Sequence, residues 1–145
     1  MNSKPVPEPK ASWHVEHAAL EKLWSAIEQV FAGPVDCDRL RRLLSELAHQ
    51  LAKHFWQEEK GGYFAEVLSL APELRARIER LQNEHVRMLE VVEELSRKVD
   101  APVGSDTWQQ LAGEYRELAV LFQRHEQLEE EMLQQAYQLD MGTKD

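Results

Sequence analysis

Apolar residues recur along this chain in alternating steps of three and four, in four long stretches. The first runs from about Trp13 to Phe31 and stops at the breaker pair Gly33-Pro34. The second starts near Asp36 or Asp38, either of which suits an N-cap, and continues to about Leu70. The third takes Pro72 into its first turn and runs to Val99. A loop over 100–106 follows, with Ser105 or Asp106 as a cap for a fourth stretch that reaches about Tyr137. Steps of three and four put a stripe on one face of a helix, and strand-like alternation is almost absent. Four such helices with short connections predict an all-α fold, an up-down-up-down antiparallel four-helix bundle. Residues 12–138 form that bundle, 1–11 read as a disordered tail, and 139–145 as a frayed C-terminus. Gly61-Gly62 interrupts the second stretch. Because the stripe resumes in phase at Ala65 and Leu68, a local bend is expected there rather than a full break, each glycine costing roughly 1 kcal/mol against alanine.

Written out, the stripes are not purely apolar. The first reads Trp13, His17, Leu20, Trp24, Ile27, Phe31; the second Leu40, Leu44, Leu47, Leu51, His54, Glu58, Gly61, Ala65, Leu68. The third reads Leu74, Ile78, Leu81, His85, Met88, Val92, Leu95, Val99; the fourth Trp108, Leu111, Tyr115, Leu118, Phe122, His125, Glu129, Met132. Each stripe carries one histidine, and two carry a glutamate four residues later. His14 and His49 fall off the stripes. A strict seam takes about two positions in seven, so chance does not readily place one histidine on each helix.

These side chains also share a depth. His54 and Glu58 centre about 14 residues before a turn near residue 70, and His85 lies about 15 after it. At ~1.5 Å per residue both lie roughly 21–22 Å from that turn. Unpaired carboxylates and imidazoles in a core layer destabilise a fold unless something binds them. A pair of cations does so. Four imidazoles and two carboxylates suit iron, manganese or zinc, and carboxylates can bridge two ions. The order His-x-x-x-Glu also differs from the Glu-x-x-His pairs of ferritin-like bundles. Six donors for two ions leave positions open to an exogenous ligand.

Composition narrows the partners. The 145 residues suit one domain, and hydrophobic residues at 43% suffice for a core. The formal net charge of -9 argues against nucleic-acid binding, which wants a basic surface. No apolar run suits a membrane span and the N-terminus has no apolar leader core, so a membrane partner is not expected. The single cysteine, Cys37, excludes an intrachain disulfide and a cysteine-based metal site, and a cytoplasmic setting is expected. Glu59, Glu126, Glu130 and Glu131 read as solvated face residues. Glu84 reads the same way, with a place beside His85 as its alternative. Gly61 either leaves room beside the cations for a small ligand or bends the helix. Tyr63, Trp56 and Trp24 read as packing residues, with redox activity near the site as the sharper alternative.

His17, the HFWQEE at 54–59, the NEH at 83–85 and the RHEQLEE at 124–130 together resemble a hemerythrin-like domain, also called the HHE cation-binding domain, over about Trp13 to Tyr137. The resemblance implies a non-haem di-iron centre with oxo or hydroxo and carboxylate bridges. Its ligands would be His17, His54, Glu58, His85, His125 and Glu129, with Glu58 and Glu129 as the bridges. Oxygen-carrying hemerythrins have a second histidine four residues along the third helix, where this chain has Leu89, and an aspartate where it has Glu129. The resemblance therefore favours the bacterial hemerythrin-like branch and a less symmetric iron pair. It implies binding or sensing of O2, NO or a redox state, a sensing role calling for a separate protein partner. The alternatives are a di-iron enzyme acting on peroxide or oxygen, or an iron-handling protein. The chain is too short to include the cysteine-containing N-terminal domain that repair proteins of that family carry.

Overall fold

The computed structural model describes the backbone of residues 9–100 and 103–143, and the side chains of 17–100 and 103–138. The described residues are helical with no strand. Helix α1 is Pro9–Ala32, α2 Cys37–Lys60, α3 Tyr63–Leu70, α4 Arg75–Val99 and α5 Ser105–Thr143, with a 3-10 turn at Pro72–Leu74. Most of the predicted tail, residues 1–8, lies outside the described residues, as do 101–102 of the predicted loop and 144–145 of the predicted C-terminal fray. The side chains of Trp13 and His14 lie outside them too.

Helix starts follow local chemistry. Asp36 caps α2, its carboxylate accepting the Arg39 amide at 3.1 Å. Neither Ser105 nor Asp106 caps α5, because Ser105 is already helical and the preceding position is Gly104, whose carbonyl accepts the Trp108 amide. Arg41 ties the start of α2 to the end of α4, reaching the Asp100 carboxylate at 2.7 Å and the Val99 carbonyl at 3.3 Å. It thereby satisfies a carbonyl that the helix leaves unpaired.

The expected bend at Gly61-Gly62 is a full break. Gly61 ends α2, its amide bonding to the Gln57 carbonyl. Gly62 takes φ 105°, a left-handed conformation that admits glycine at no steric cost. The stripe does not resume in phase beyond it. Ala65 is exposed, while Tyr63, Phe64, Val67 and Ala71 are buried. Gly61 is itself exposed, and a Cβ there would stand 2.5 Å from the Gln57 carbonyl oxygen. Its missing side chain serves the break and leaves no room beside a site.

The helices pack in a closed ring: α1 on α2, α2 on α4, α4 on α5 and α5 on α1, with α3 against α2 and α5. Aromatic contacts pin α1 to α5, with Trp24 against Tyr115 and Phe122, and Phe31 against Trp108 and Tyr115. Two apolar cores result. The larger runs from Leu20 to Val30 of α1, Leu40 to Phe55 of α2, Met88 to Val99 of α4 and Trp108 to Phe122 of α5. The smaller gathers Tyr63, Phe64, Val67, Ala71, Leu74, Ile78, Leu81, Met132 and Ala136. Each full burial of such a side chain stabilises the fold by about 1.5–3 kcal/mol. On α2, α4 and α5, the residues between the two cores are those where the stripes turn polar.

Candidate metal centre

That polar layer is buried. Among the described residues, the buried polar and charged side chains are His54, Glu58, His85, His125, Glu126 and Glu129, none more than 6% exposed. Five of these come from the predicted set. The sixth predicted residue, His17, stands at the edge with its side chain 27% exposed.

Glu126 overturns the sequence reading. Expected on a solvated face, it is buried between two imidazoles, with Oε1 3.3 Å from His54 Nε2 and Oε2 3.1 Å from His17 Nε2. The reason is packing: α5 lies against both α1 and α4, so its buried face is wider than a strict seam. Ala112 and Glu126, each one place beyond a stripe residue, occupy the added flank.

On α2, the four-residue step brings His54 Nε2 to 2.8 Å from Glu58 Oε1, and on α5 it brings His125 Nε2 to 2.5 Å from Glu129 Oε1. His85 of α4 lies across from both carboxylates, its Nε2 3.7 Å from Glu58 Oε2 and 3.5 Å from Glu129 Oε1. Its ring stacks on Phe55 at 3.9 Å between centroids and runs parallel to Phe64. These aromatic faces fix the imidazole and keep water from that side.

Outer carboxylates orient two of the rings. Glu59 Oε2 is 2.7 Å from His85 Nδ1, and Glu84 Oε1 is 2.7 Å from His125 Nδ1. Both acids are partly buried rather than solvated, and Glu84 serves His125 on the next helix rather than its neighbour His85. Such partners hold the Nδ1 proton, so that Nε2 turns inward. The two Nε2 atoms face one another at 3.0 Å and can hold at most one proton between them. At least one lone pair therefore points into the layer.

Charge in the layer is unbalanced. Burial and the neighbouring Glu58 carboxylate push the Glu129 carboxyl up to about 8. Burial alone would favour neutral His54, but Glu126 and Glu58 outweigh it and raise its imidazolium to about 11. His125 is likewise raised, Glu129 and Glu84 together overcoming burial. His17 is raised by its hydrogen bond to Glu126 against burial. Burial works against the charge on Glu126, yet His17 and His54 hold it down at about 2.

The donor set fits a metal. Both oxygens of Glu58 and of Glu129 are buried without an aligned hydrogen bond, although ring nitrogens stand close by. Such an orphaned layer is costly unless a cation takes the proton's place. Among the described residues, two groups could hold one, each with ligand atoms within 4.8 Å of one another: Glu58, His85, His125 and Glu129, and His54, Glu58, Glu126 and Glu129. Glu58 and Glu129 belong to both. His17 belongs to neither.

A groove of about 570 Å³ between α1 and α5 reaches the layer's edge, lined by His17, Glu21, Trp24, Tyr115, Phe122 and Glu126 among others. Trp56 is 61% exposed, and Trp24 packs on Tyr115 and Phe122. Tyr63 is buried, and its hydroxyl donates to the Glu129 carbonyl at 3.4 Å. No described helix is long and apolar enough to cross a membrane.

A family model described as the hemerythrin HHE cation binding domain matches residues 9–137. No curated protein and no solved structure matches the chain.

Proposed function

Since the chain belongs to the hemerythrin HHE cation-binding domain family, we propose that its polar layer holds two non-haem iron ions inside an up-down-up-down antiparallel bundle. Through them the protein binds O2, NO or a related small ligand, or responds to redox state. The observation that carries this reading is the sharing of Glu58 and Glu129 by both donor groups. A carboxylate has two oxygens and can serve two cations, whereas an imidazole Nε2 serves one. His85 and His125 would hold one ion and His54 the other, and the family resemblance would add His17 to the second. Imidazole and carboxylate donors without a thiolate suit iron, manganese or zinc, and of these the family resemblance favours iron.

Bound iron supplies a change of oxidation state and open coordination positions. The chain supplies the rest. Glu59 and Glu84 orient His85 and His125. Phe55 and Phe64 shield His85 from solvent. The groove beside His17 and Glu126 gives a small molecule access to the layer's edge.

Metal analysis of aerobically purified protein tests this, together with its absorption spectrum. The reading expects close to two irons per chain and a ligand-to-iron charge-transfer band that changes reversibly with O2 or NO. Sustained consumption of peroxide, with no reversible change, would replace binding by catalysis. A metal-free preparation as stable as a loaded one would remove the metal reading altogether.

A further inference from the structure

We propose that Glu126 is itself a metal ligand and that His17 is not, acting instead as the hydrogen-bond partner that positions the Glu126 carboxylate. The inference rests on the two-ion reading above and reassigns one of its ligands.

Three observations lead to it. Glu126 joins His54, Glu58 and Glu129 in a group whose donor atoms lie within 4.8 Å of one another, and His17 joins no such group among the described residues. Glu126 is buried and within 3.3 Å of His54 Nε2, so it already stands on the cation's side of His17. His17 Nε2 stands 3.1 Å from the far oxygen, Oε2, on a side chain that borders the open groove. The arrangement repeats that of Glu84 on His125 and Glu59 on His85 with the roles exchanged: there a carboxylate orients an imidazole, here an imidazole orients a carboxylate.

Charge favours the same assignment. Two divalent cations bring four positive charges into a buried layer. Glu58 and Glu129 offset two of them. Glu126 as a ligand offsets a third, whereas outside the ligand set it would be a buried carboxylate answered only by imidazoles. The two cations would then have unequal surroundings: two imidazoles beside the shared carboxylates on one, and one imidazole and one further carboxylate on the other.

Zinc, which does not change oxidation state, is the probe. Wild-type chain should bind two ions; failure to do so would end the two-ion reading before any variant is made. Given two ions, Glu126→Gln should keep one and bind the second at least about 100-fold more weakly, beyond the roughly 10–100-fold typical of outer partners. His17→Ala should weaken the second ion within that outer-partner range, and His17→Gln, which still offers an N–H to Glu126, should recover most of the loss. Zinc-loaded wild type with ¹⁵N-labelled imidazoles needs no variant to fold: His54, His85 and His125 should show metal-bound nitrogens and His17 should not. A metal-bound His17 nitrogen would overturn the assignment. So would Glu126→Gln holding both ions at wild-type affinity.

Discussion

His85 and His125 point their Nε2 atoms at each other across 3.0 Å, while the opposite nitrogen of each ring is held by an acid, Glu59 in one case and Glu84 in the other. Two rings fixed in this way cannot both keep an inward proton. The arrangement is preset for a cation and poorly suited to hydrogen bonding alone.

Removing one of the outer acids should therefore weaken metal binding without removing a ligand. Glu84→Gln should lower zinc affinity by roughly 10–100-fold, read by competition with a chelator. Stability of the metal-free chain should change less, because the amide oxygen of glutamine can still accept the His125 Nδ1 proton. Unchanged affinity would mean that the carboxylate does not orient His125.

The metal-free chain should lose stability as pH rises. Glu129 is raised from the ordinary 4.5 to about 8, so its contribution is complete below 4.5 and lost between 4.5 and 8. His54 is raised from 6.5 to about 11, so its contribution is complete below 6.5 and lost toward 11. Glu126, lowered to about 2, contributes fully above 4.5 and loses that contribution only as pH falls toward 2. The sum peaks in mildly acidic solution. Melting curves from pH 5 to pH 9 should show a falling Tm without metal. Added zinc should stabilise more at each higher pH, because binding must displace the protons on Glu129 and His54. A metal-free Tm that rises over this range would contradict the charge balance described for the layer.

Much of this centre is legible in one dimension because helical phase is strict. Every stripe residue named on α4, from Leu74 in the turn before it to Val99, is buried, and so is every one on the fourth stripe. The residues missed share a different property. Glu126 sits one place beyond His125, on a flank that is buried only because α1 closes over it. Glu59 and Glu84 sit beside ligand candidates in sequence, yet each serves a ring on another helix. Sequence spacing describes one helix at a time, and these roles depend on which helices are neighbours. The wider three-to-four-per-two-turns face would have admitted Glu126 as a core position.

The glycine break is a second place where the phase argument failed, and it yields a prediction. Gly62 holds a left-handed turn with nothing near its absent side chain, so Gly62→Ala meets backbone strain and no clash. It should cost about 1–2 kcal/mol, seen as a lower denaturation midpoint at unchanged slope. Gly62→Asn should cost less, since asparagine tolerates this conformation better. Gly61→Ala should be the more damaging change, because its Cβ would meet the Gln57 backbone at 2.5–2.9 Å, where only the main chain can give way. An alanine tolerated equally at both positions would mean that α2 and α3 can join into one helix.

Two histidines on the same helix provide the sharpest contrast. His49 and His54 are five residues apart on α2, but His49 is exposed and His54 is buried against Glu58 and Glu126. His54→Ala removes the only imidazole in the group formed with Glu58, Glu126 and Glu129, and leaves those carboxylates facing an apolar side chain. It should reduce affinity for the second ion by at least about 10–100-fold, since losing a ligand outweighs losing an outer partner. The metal-free protein should weaken as well, because His17 alone is left of the two imidazoles that hold the Glu126 carboxylate charged. His49→Ala should change neither quantity beyond the few tenths of a kcal/mol usual for a surface site. Paired titrations with zinc, and melting curves on the same samples, compare the two positions directly. Equal losses at both would mean that the buried face of α2 is not the one that carries the metal.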